Sequence, residues 1–324
     1  MRRRVALALL GGTVVAWPSA AQDKLRRVGL LSSGLSVPTP GAPTSWRGEL
    51  LRVLAESGFS QGRNLELLER YAEGQPDRLP AMAREIGAAS AEVVLAITGD
   101  AIRAMAAADR ATPIVMVASD PVERGFITSL ARPGGRMTGL NFQTIDGDAK
   151  RLQLLREAIP GKRRFGVLAY GGSGPRLAQV LAQAATQLDI ELATRTVSGS
   201  AEYATALAAL KKDGVGGVLI ESTQVLSTDA VRLAAIAEAN GLPTICEWDY
   251  MARVGCMLGY GHDISYAHRR AGEYVARILK GSRPAELPVE QPDAWKLTIN
   301  LGVAARLGLT VPPAVLARAD AVID

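Results

Sequence analysis

Short apolar runs alternate with longer amphipathic stretches along most of this chain. Apolar runs of about four to eight residues read as strands, and apolar positions recurring every three or four residues read as helices. The first series predicts strands at Arg27–Leu31, Leu65–Tyr71, Glu92–Ile97, Pro113–Val117 and Met137–Leu140. Between them fall helices at Thr44–Glu56, capped by Thr44 or Ser45, at Asp77–Ala88, with Leu79, Met82, Ala83 and Ile86 on one face, and at Asp100–Ala108. The cycle restarts with a helix over Asp146–Ala158, whose face carries Leu152, Leu155 and Ile159 and which Pro160-Gly161 ends. Strands follow at Phe165–Ala169, Glu191–Val197, Gly217–Ile220, Pro243–Cys246, Cys256–Gly259 and Leu297–Ile299, with helices at Pro175–Leu188, Ala201–Lys211, Ser227–Ala239, Ser265–Lys280 and Val303–Leu307.

Strands alternating with helices of about ten to sixteen residues imply parallel sheets built from right-handed βαβ units. Two such series predict an α/β protein of two similar, doubly wound parallel-sheet domains. The join near Asn141–Asp146 is only a few residues long, which suits a hinge better than a tether.

The length, 324 residues with 48% hydrophobic and 21% charged positions, is enough for two cores and excludes a disordered or collagen-like chain. Of 37 basic residues, Arg2, Arg3 and Arg4 lie in the first four positions, leaving 34 against 32 acids elsewhere. A balance of +2 supplies no clustered basic face, so no nucleic-acid partner is expected. Two histidines (His262, His268) and two cysteines (Cys246, Cys256) argue against a metal site, and no cofactor is expected.

Met1 to Val5 is a basic start, Val5 to Val15 an apolar run, and Ser19-Ala20-Ala21 a group of small residues before Gln22. That is the three-part pattern of a signal peptide, predicted over 1–21, with the remainder exported to the periplasm. No later stretch reads as a membrane span. An oxidising compartment would permit a disulfide between Cys246 and Cys256. Both sit in apolar runs that read as buried strands, where two packed thiols is the simpler reading.

In open parallel sheets ligands bind beyond the carboxyl ends of the strands, where helix N-termini offer free N–H groups. Those ends are predicted at Leu31-Ser32-Ser33, Thr98-Gly99-Asp100, Ala118-Ser119-Asp120, Tyr170-Gly171-Gly172, Glu221-Ser222-Thr223, Glu247-Trp248-Asp249 and Tyr260-Gly261. Hydroxyls, glycines, acids and aromatics of this kind hydrogen-bond an anion, pair with a cation or stack on a flat ligand, although any single hydroxyl also serves as a plain helix cap. Catalytic patterns fail: there is no G-x-S-x-G elbow, no H-E-x-x-H, and Gly171-Gly172-Ser173-Gly174 lacks the third glycine of a dinucleotide loop.

Three stretches resemble one family. Pro113-Ile-Val-Met-Val-Ala-Ser119-Asp120-Pro121 followed by Ser129-Leu-Ala-Arg132-Pro133-Gly134-Gly135 looks like the signature of the TrpX-like substrate-binding proteins of ABC transporters. Leu279-Lys-Gly281-Ser-Arg-Pro284 through Gln291-Pro292, and Leu307-Gly-Leu-Thr310-Val-Pro312-Pro313 through Asp320, are similar to the same family. The resemblance implies a type I periplasmic binding protein: two lobes joined by a three-crossing hinge, with a small molecule held between them. It places lobe 1 at 22–143 plus 263–286 and lobe 2 at 144–262 plus 287–324, with crossings near Asn141–Ile145, Gly261–Ser265 and between Ser282 and Glu290. By position, ligand contacts would fall on Ser32, Ser33, Thr98, Gly99, Ser119 and Asp120 in the first lobe. In the second they would fall on Tyr170, Glu221, Ser222, Glu247, Trp248 and Asp249, with Tyr260 added from its strand end.

The expected function is extracytoplasmic capture of a small organic solute, aromatic or otherwise carboxylate-bearing, by a monomer that closes on its ligand and docks on a membrane permease. Family members that bind aromatic amino acids carry Asp at the later second-lobe strand ends, where this chain has Glu221 and Glu247. The alternatives are an exported enzyme using Asp120 or Asp249, and a protein presenting its ligand to a sensor.

Overall fold

A computed structural model describes residues 24–34, 36, 44–142, 144–171 and 174–324. The expected signal peptide, 1–21, lies outside the described residues, as do Gly172 and Ser173. The chain begins with β1 (Arg26–Ser32), α1 (Trp46–Glu56), β2 (Leu65–Tyr71), α2 (Leu79–Ala88), β3 (Val93–Ile97), α3 (Gly99–Ala108), β4 (Ile114–Ala118) and β5 (Met137–Asn141). It continues with α4 (Thr144–Ala158), β6 (Arg164–Tyr170), α5 (Pro175–Leu188), β7 (Glu191–Val197), α6 (Tyr203–Lys212), β8 (Val218–Ile220), α7 (Gln224–Thr228) and α8 (Ala230–Ala239). After β9 (Thr244–Cys246), α9 (Asp249–Arg253) and β10 (Leu258–His262) come α10 (Ile264–Leu279), β11 (Trp295–Asn300), α11 (Leu301–Arg306), α12 (Pro313–Leu316) and β12 (Ala321–Ile323).

The strands form two sheets. One has the order β2-β1-β3-β4-β5 and is parallel throughout. The other has the order β12-β11-β10-β9-β8-β6-β7. Its β6 to β10 repeat the arrangement of β1 to β5, so each lobe is doubly wound with the crevice at the point where the strand order reverses. Strands buried on both faces explain the continuous apolar runs: β3 and β4 are buried at every position.

The second sheet is longer than the periodicity suggested. β11 pairs antiparallel with β10, and β12 adds in parallel to β11. The short α9 and α12 and the edge strand β12 were not foreseen, because elements of three to five residues carry too little periodicity. The helix expected over Ser227–Ala239 is two, α7 and α8, which meet at Asp229.

The lobes exchange chain at three places. The first crossing follows Asn141 and enters α4, and the second is Asp263, between β10 and α10. Helix α10 lies against α1 and the first sheet, with Tyr274 and Val275 fully buried there. The third crossing falls later than expected. Leu287 and Val289 pack into the first-lobe cores, and Glu290 bonds β5 in both directions through Gly139 O at 2.9 Å and Asn141 N at 2.8 Å. The chain therefore leaves the first lobe after Glu290 and reaches the second at Trp295.

Cys246 and Cys256 form a disulfide, which corrects the packed-thiol reading. Both are buried as expected, but the α9 turn between them brings their backbones to a Cα–Cα distance of 6.5 Å.

Candidate functional site

The carboxyl ends of β1, β3 and β4 lie side by side and carry the first-lobe candidates. Ser32 is buried, and its Oγ accepts from Gly34 N at 3.0 Å, which turns the chain out of β1. Ser33 and Thr98 share a hydroxyl–hydroxyl hydrogen bond of 2.6 Å. Thr98 caps α3, whose first residue is Gly99, and does so at φ +88°, ψ 153°. That backbone region favours glycine and costs a side-chain residue about 1–3 kcal/mol. Here Thr98 N donates to Val117 O at 3.0 Å, so sheet pairing holds the strained residue in place. Asp120 is a second positive-φ residue, at +52°, and its N donates to Asn141 Oδ1 at 2.9 Å. Ser119 and Asp120, both half-buried, thus lie beside the first crossing.

The second-lobe candidates surround a buried ion pair that sequence reasoning missed. Arg151, on α4, pairs with Asp148 at 2.8 Å, their side chains 0% and 1% exposed. Its guanidinium also donates to Tyr260 O at 2.9 Å and to Ser222 Oγ. Ser222 Oγ donates in turn to Asp148 Oδ1 at 3.3 Å. Glu221 is buried, and its carboxylate accepts from Tyr170 N at 2.7 Å, joining the ends of β6 and β8. Glu247 is buried at the end of β9. A Cβ on Gly261 would stand 1.9 Å from Glu247 O, so only glycine at that position of β10 lets the Glu247 backbone lie this close. A signal for the pair was present: Asp148 and Arg151 fall on the same face of α4 as Leu152 and Leu155.

Burial and the neighbouring Asp148 and Glu221 push the Glu247 carboxyl up to about 8, against the pull of Arg151 and Ser222. Burial also raises Asp148 above the usual carboxylate range, opposed by Arg151. The second lobe therefore gathers three carboxyl groups, of Asp148, Glu221 and Glu247, around one guanidinium.

The aromatic candidates divide. Trp248 is half-buried, packs against cores of both lobes and meets Phe142 edge-on at 5.7 Å. Asp249 begins α9. Tyr260 does not end its strand, because pairing with β11 carries β10 on to His262. Its ring stacks on Trp295 at 5.1 Å and faces the second-lobe core. Tyr250, on α9, is buried in that lobe.

The hinge is built from rings that sequence reasoning did not single out. Phe142, His262 and Trp295 come from the three crossings, with centroids 5.4 Å apart for Phe142–His262 and 4.0 Å for His262–Trp295. Both ring nitrogens of His262 are buried without a hydrogen-bond partner, and burial, with Arg151 nearby, pushes the imidazole down to about 4. Lys296 pairs with Asp263 at 2.6 Å, tying the second and third crossings together.

The lobes touch across the cleft. Arg176, in the first turn of α5, pairs with Glu123 and lies 3.4 Å from Asp120 of the first lobe. Trp46, at the start of α1, packs against cores of both lobes. Among the described residues no group of three or more His, Cys, Asp or Glu is arranged to hold a metal ion.

Two doubly wound lobes joined by three crossings define the type I periplasmic binding fold. The chain belongs to the family of ABC transporter substrate binding proteins, whose sequence model matches residues 40–323. It is 26% identical over 255 residues to a tyrosine-binding protein of Clostridioides difficile, covering 77% of this chain and 72% of that one. A conserved domain protein from Vibrio cholerae superposes with a TM-score of 0.83 at 26% identity, over 92% of this chain and all of that one. A Streptococcus pneumonia domain solved with L-Trp has the same fold, with a TM-score of 0.79 at 21% identity over 91% of this chain and 100% of its own.

Proposed function

We propose that this chain captures a small, carboxylate-bearing solute with an aromatic or similarly flat body outside the cytoplasm and delivers it to a membrane permease. The observation that carries this reading is the pairing of unlike walls across one cleft. The first lobe offers the Ser33 and Thr98 hydroxyls at the N-terminus of α3, where free N–H groups and the helix dipole suit a carboxylate. The second lobe offers the Glu221 carboxylate, which suits a cation, with the Glu247 carboxyl near it, and Trp248 lies where the two cores meet. A ligand touching both walls stabilises the closed form by its differential affinity for it, and the closed monomer docks on the permease. Residues 1–21 direct export and are removed. This binding cycle requires no covalent step. The tyrosine-binding relative and the L-Trp-bound neighbour support a solute of this class.

A thermal-shift screen of L-tyrosine, L-tryptophan, aromatic carboxylic acids and hexoses tests the proposal. A ligand at about one hundred times its dissociation constant adds about 2.7 kcal/mol of stability, which a melting curve resolves. Stabilisation by hexoses alone overturns it.

A further inference from the structure

The segment Glu247–Asp249 has little strand pairing to hold it. β9 is three residues long and registers with β10 only at Ile245 with Leu258 and Cys246 with Gly259. The ladder ends at Cys246, and the disulfide to Cys256 begins at that same residue. It closes a ring, ten residues in sequence separation, that contains Glu247, Trp248, Asp249 and the whole of α9.

Inside the ring, beyond the bonds of the single turn of α9, Met251 N donates to Trp248 O and Cys256 N to Met251 O, each at 3.0 Å, and Gly255 N donates to Ala252 O at 3.3 Å. From outside, Asn300 Nδ2 donates to Ala252 O at 2.8 Å. Against these stands an outward drive, because Glu247 is buried beside Asp148 and Glu221 and gains solvation by leaving. A free loop would relieve that desolvation by swinging out. A covalent ring of this size removes most such conformers.

We infer that the Cys246–Cys256 disulfide is a positioning element of the binding site, holding Glu247, Trp248 and Asp249 against β10. That these three residues meet ligand rests on the proposed function. The disulfide's part in the fold is distinct from a general contribution to stability, because the segment it restrains is the one where strand pairing stops.

Hydrogen exchange on the full chain, without ligand, separates the two roles. In a Cys246→Ala/Cys256→Ala variant, amides of 247–255 are expected to exchange at least about tenfold faster while β1 and β3 keep their protection. Leu181→Ala, a buried substitution on α5 in the second lobe's other core, supplies a destabilised control in which 247–255 stays protected. Should the double variant fail to fold, Cys246→Val/Cys256→Ala, which keeps more of the buried volume, gives the same comparison. Unchanged protection at 247–255, or a loss spread evenly over the second lobe, overturns the inference.

Titration with L-tyrosine and L-tryptophan adds the functional arm. Binding weakened at least about tenfold in the double variant but not in Leu181→Ala supports the positioning role. Faster exchange with undiminished binding overturns it. A wild-type chain that binds neither probe, with 247–255 loosened in the variant, supports the disulfide's hold on the segment and counts against the ligand class proposed above.

Discussion

Arg151 and Asp148, one turn apart on α4, form an ion pair of 2.8 Å that water does not reach. From that position the guanidinium reaches the Ser222 hydroxyl at the end of β8 and the Tyr260 carbonyl of β10. A single side chain thus ties the first helix of the second lobe to two strands of its sheet. Sealed from solvent, it fixes these elements to one another.

Removing one partner of this pair leaves an uncompensated buried charge. Arg151→Met is expected to lower the unfolding free energy by about 3–5 kcal/mol. The double variant Asp148→Leu/Arg151→Met removes both charges and recovers much of that loss. Urea unfolding of the three proteins checks the order.

Glu247 makes stability depend on pH above neutrality. Its folded value of about 8 lies above the ordinary 4.5, so between these the native state keeps a proton that the unfolded chain has lost. The stability this provides is complete below about pH 4.5 and disappears as the pH rises through about 8. Glu247→Gln carries no such proton. Its melting temperature is expected to fall less than the wild type's between about pH 5 and pH 9, measured in matched buffers.

The histidines act in the opposite sense on the acid side. His262 is held down to about 4 and His268 to about 3, both chiefly by burial, against an ordinary value of 6.5. Their contribution is present above about 6.5 and is lost as the pH falls through those lower values. His262 is faced by Arg151 from α4, by Asp293 from the third crossing, and by the rings of Phe142 and Trp295. His262→Phe keeps a ring in the stack and removes the titration. Acid unfolding followed by Trp fluorescence is expected to begin at a lower pH in the variant.

Arg176 bridges the lobes through Glu123 and Asp120, with its side chain 37% exposed and that of Glu123 61% exposed. Solvent screening at this exposure limits its worth to about 0–1 kcal/mol of folding stability. Its effect falls on lobe closure instead. Arg176→Ala, and wild type at high salt, are expected to show a larger radius of gyration in small-angle scattering with an almost unchanged melting temperature.

Periodicity and strand propensity are local properties, and they determined most of the strands and helices by themselves. β2, β7 and α5 match the sequence reading residue for residue. The rule that ligands meet strand ends drew attention to Ser33, Thr98 and Glu247, and the structure sets the hydroxyls of Ser33 and Thr98 2.6 Å apart. Family likeness supplied the bilobal plan. What tertiary structure alone decided depends on contacts far apart in sequence. β10 extends to His262 because β11 pairs with it, which sets the Tyr260 ring in a stack with Trp295. The third crossing lies beyond Glu290 because that residue bonds β5. Arg151 joins α4 to the second sheet because its guanidinium meets the end of β8 and β10, and no pattern within α4 states which strands those will be. Hydrophobic patterning records which face of an element is buried. The partner that each buried polar group meets is settled only when the elements pack.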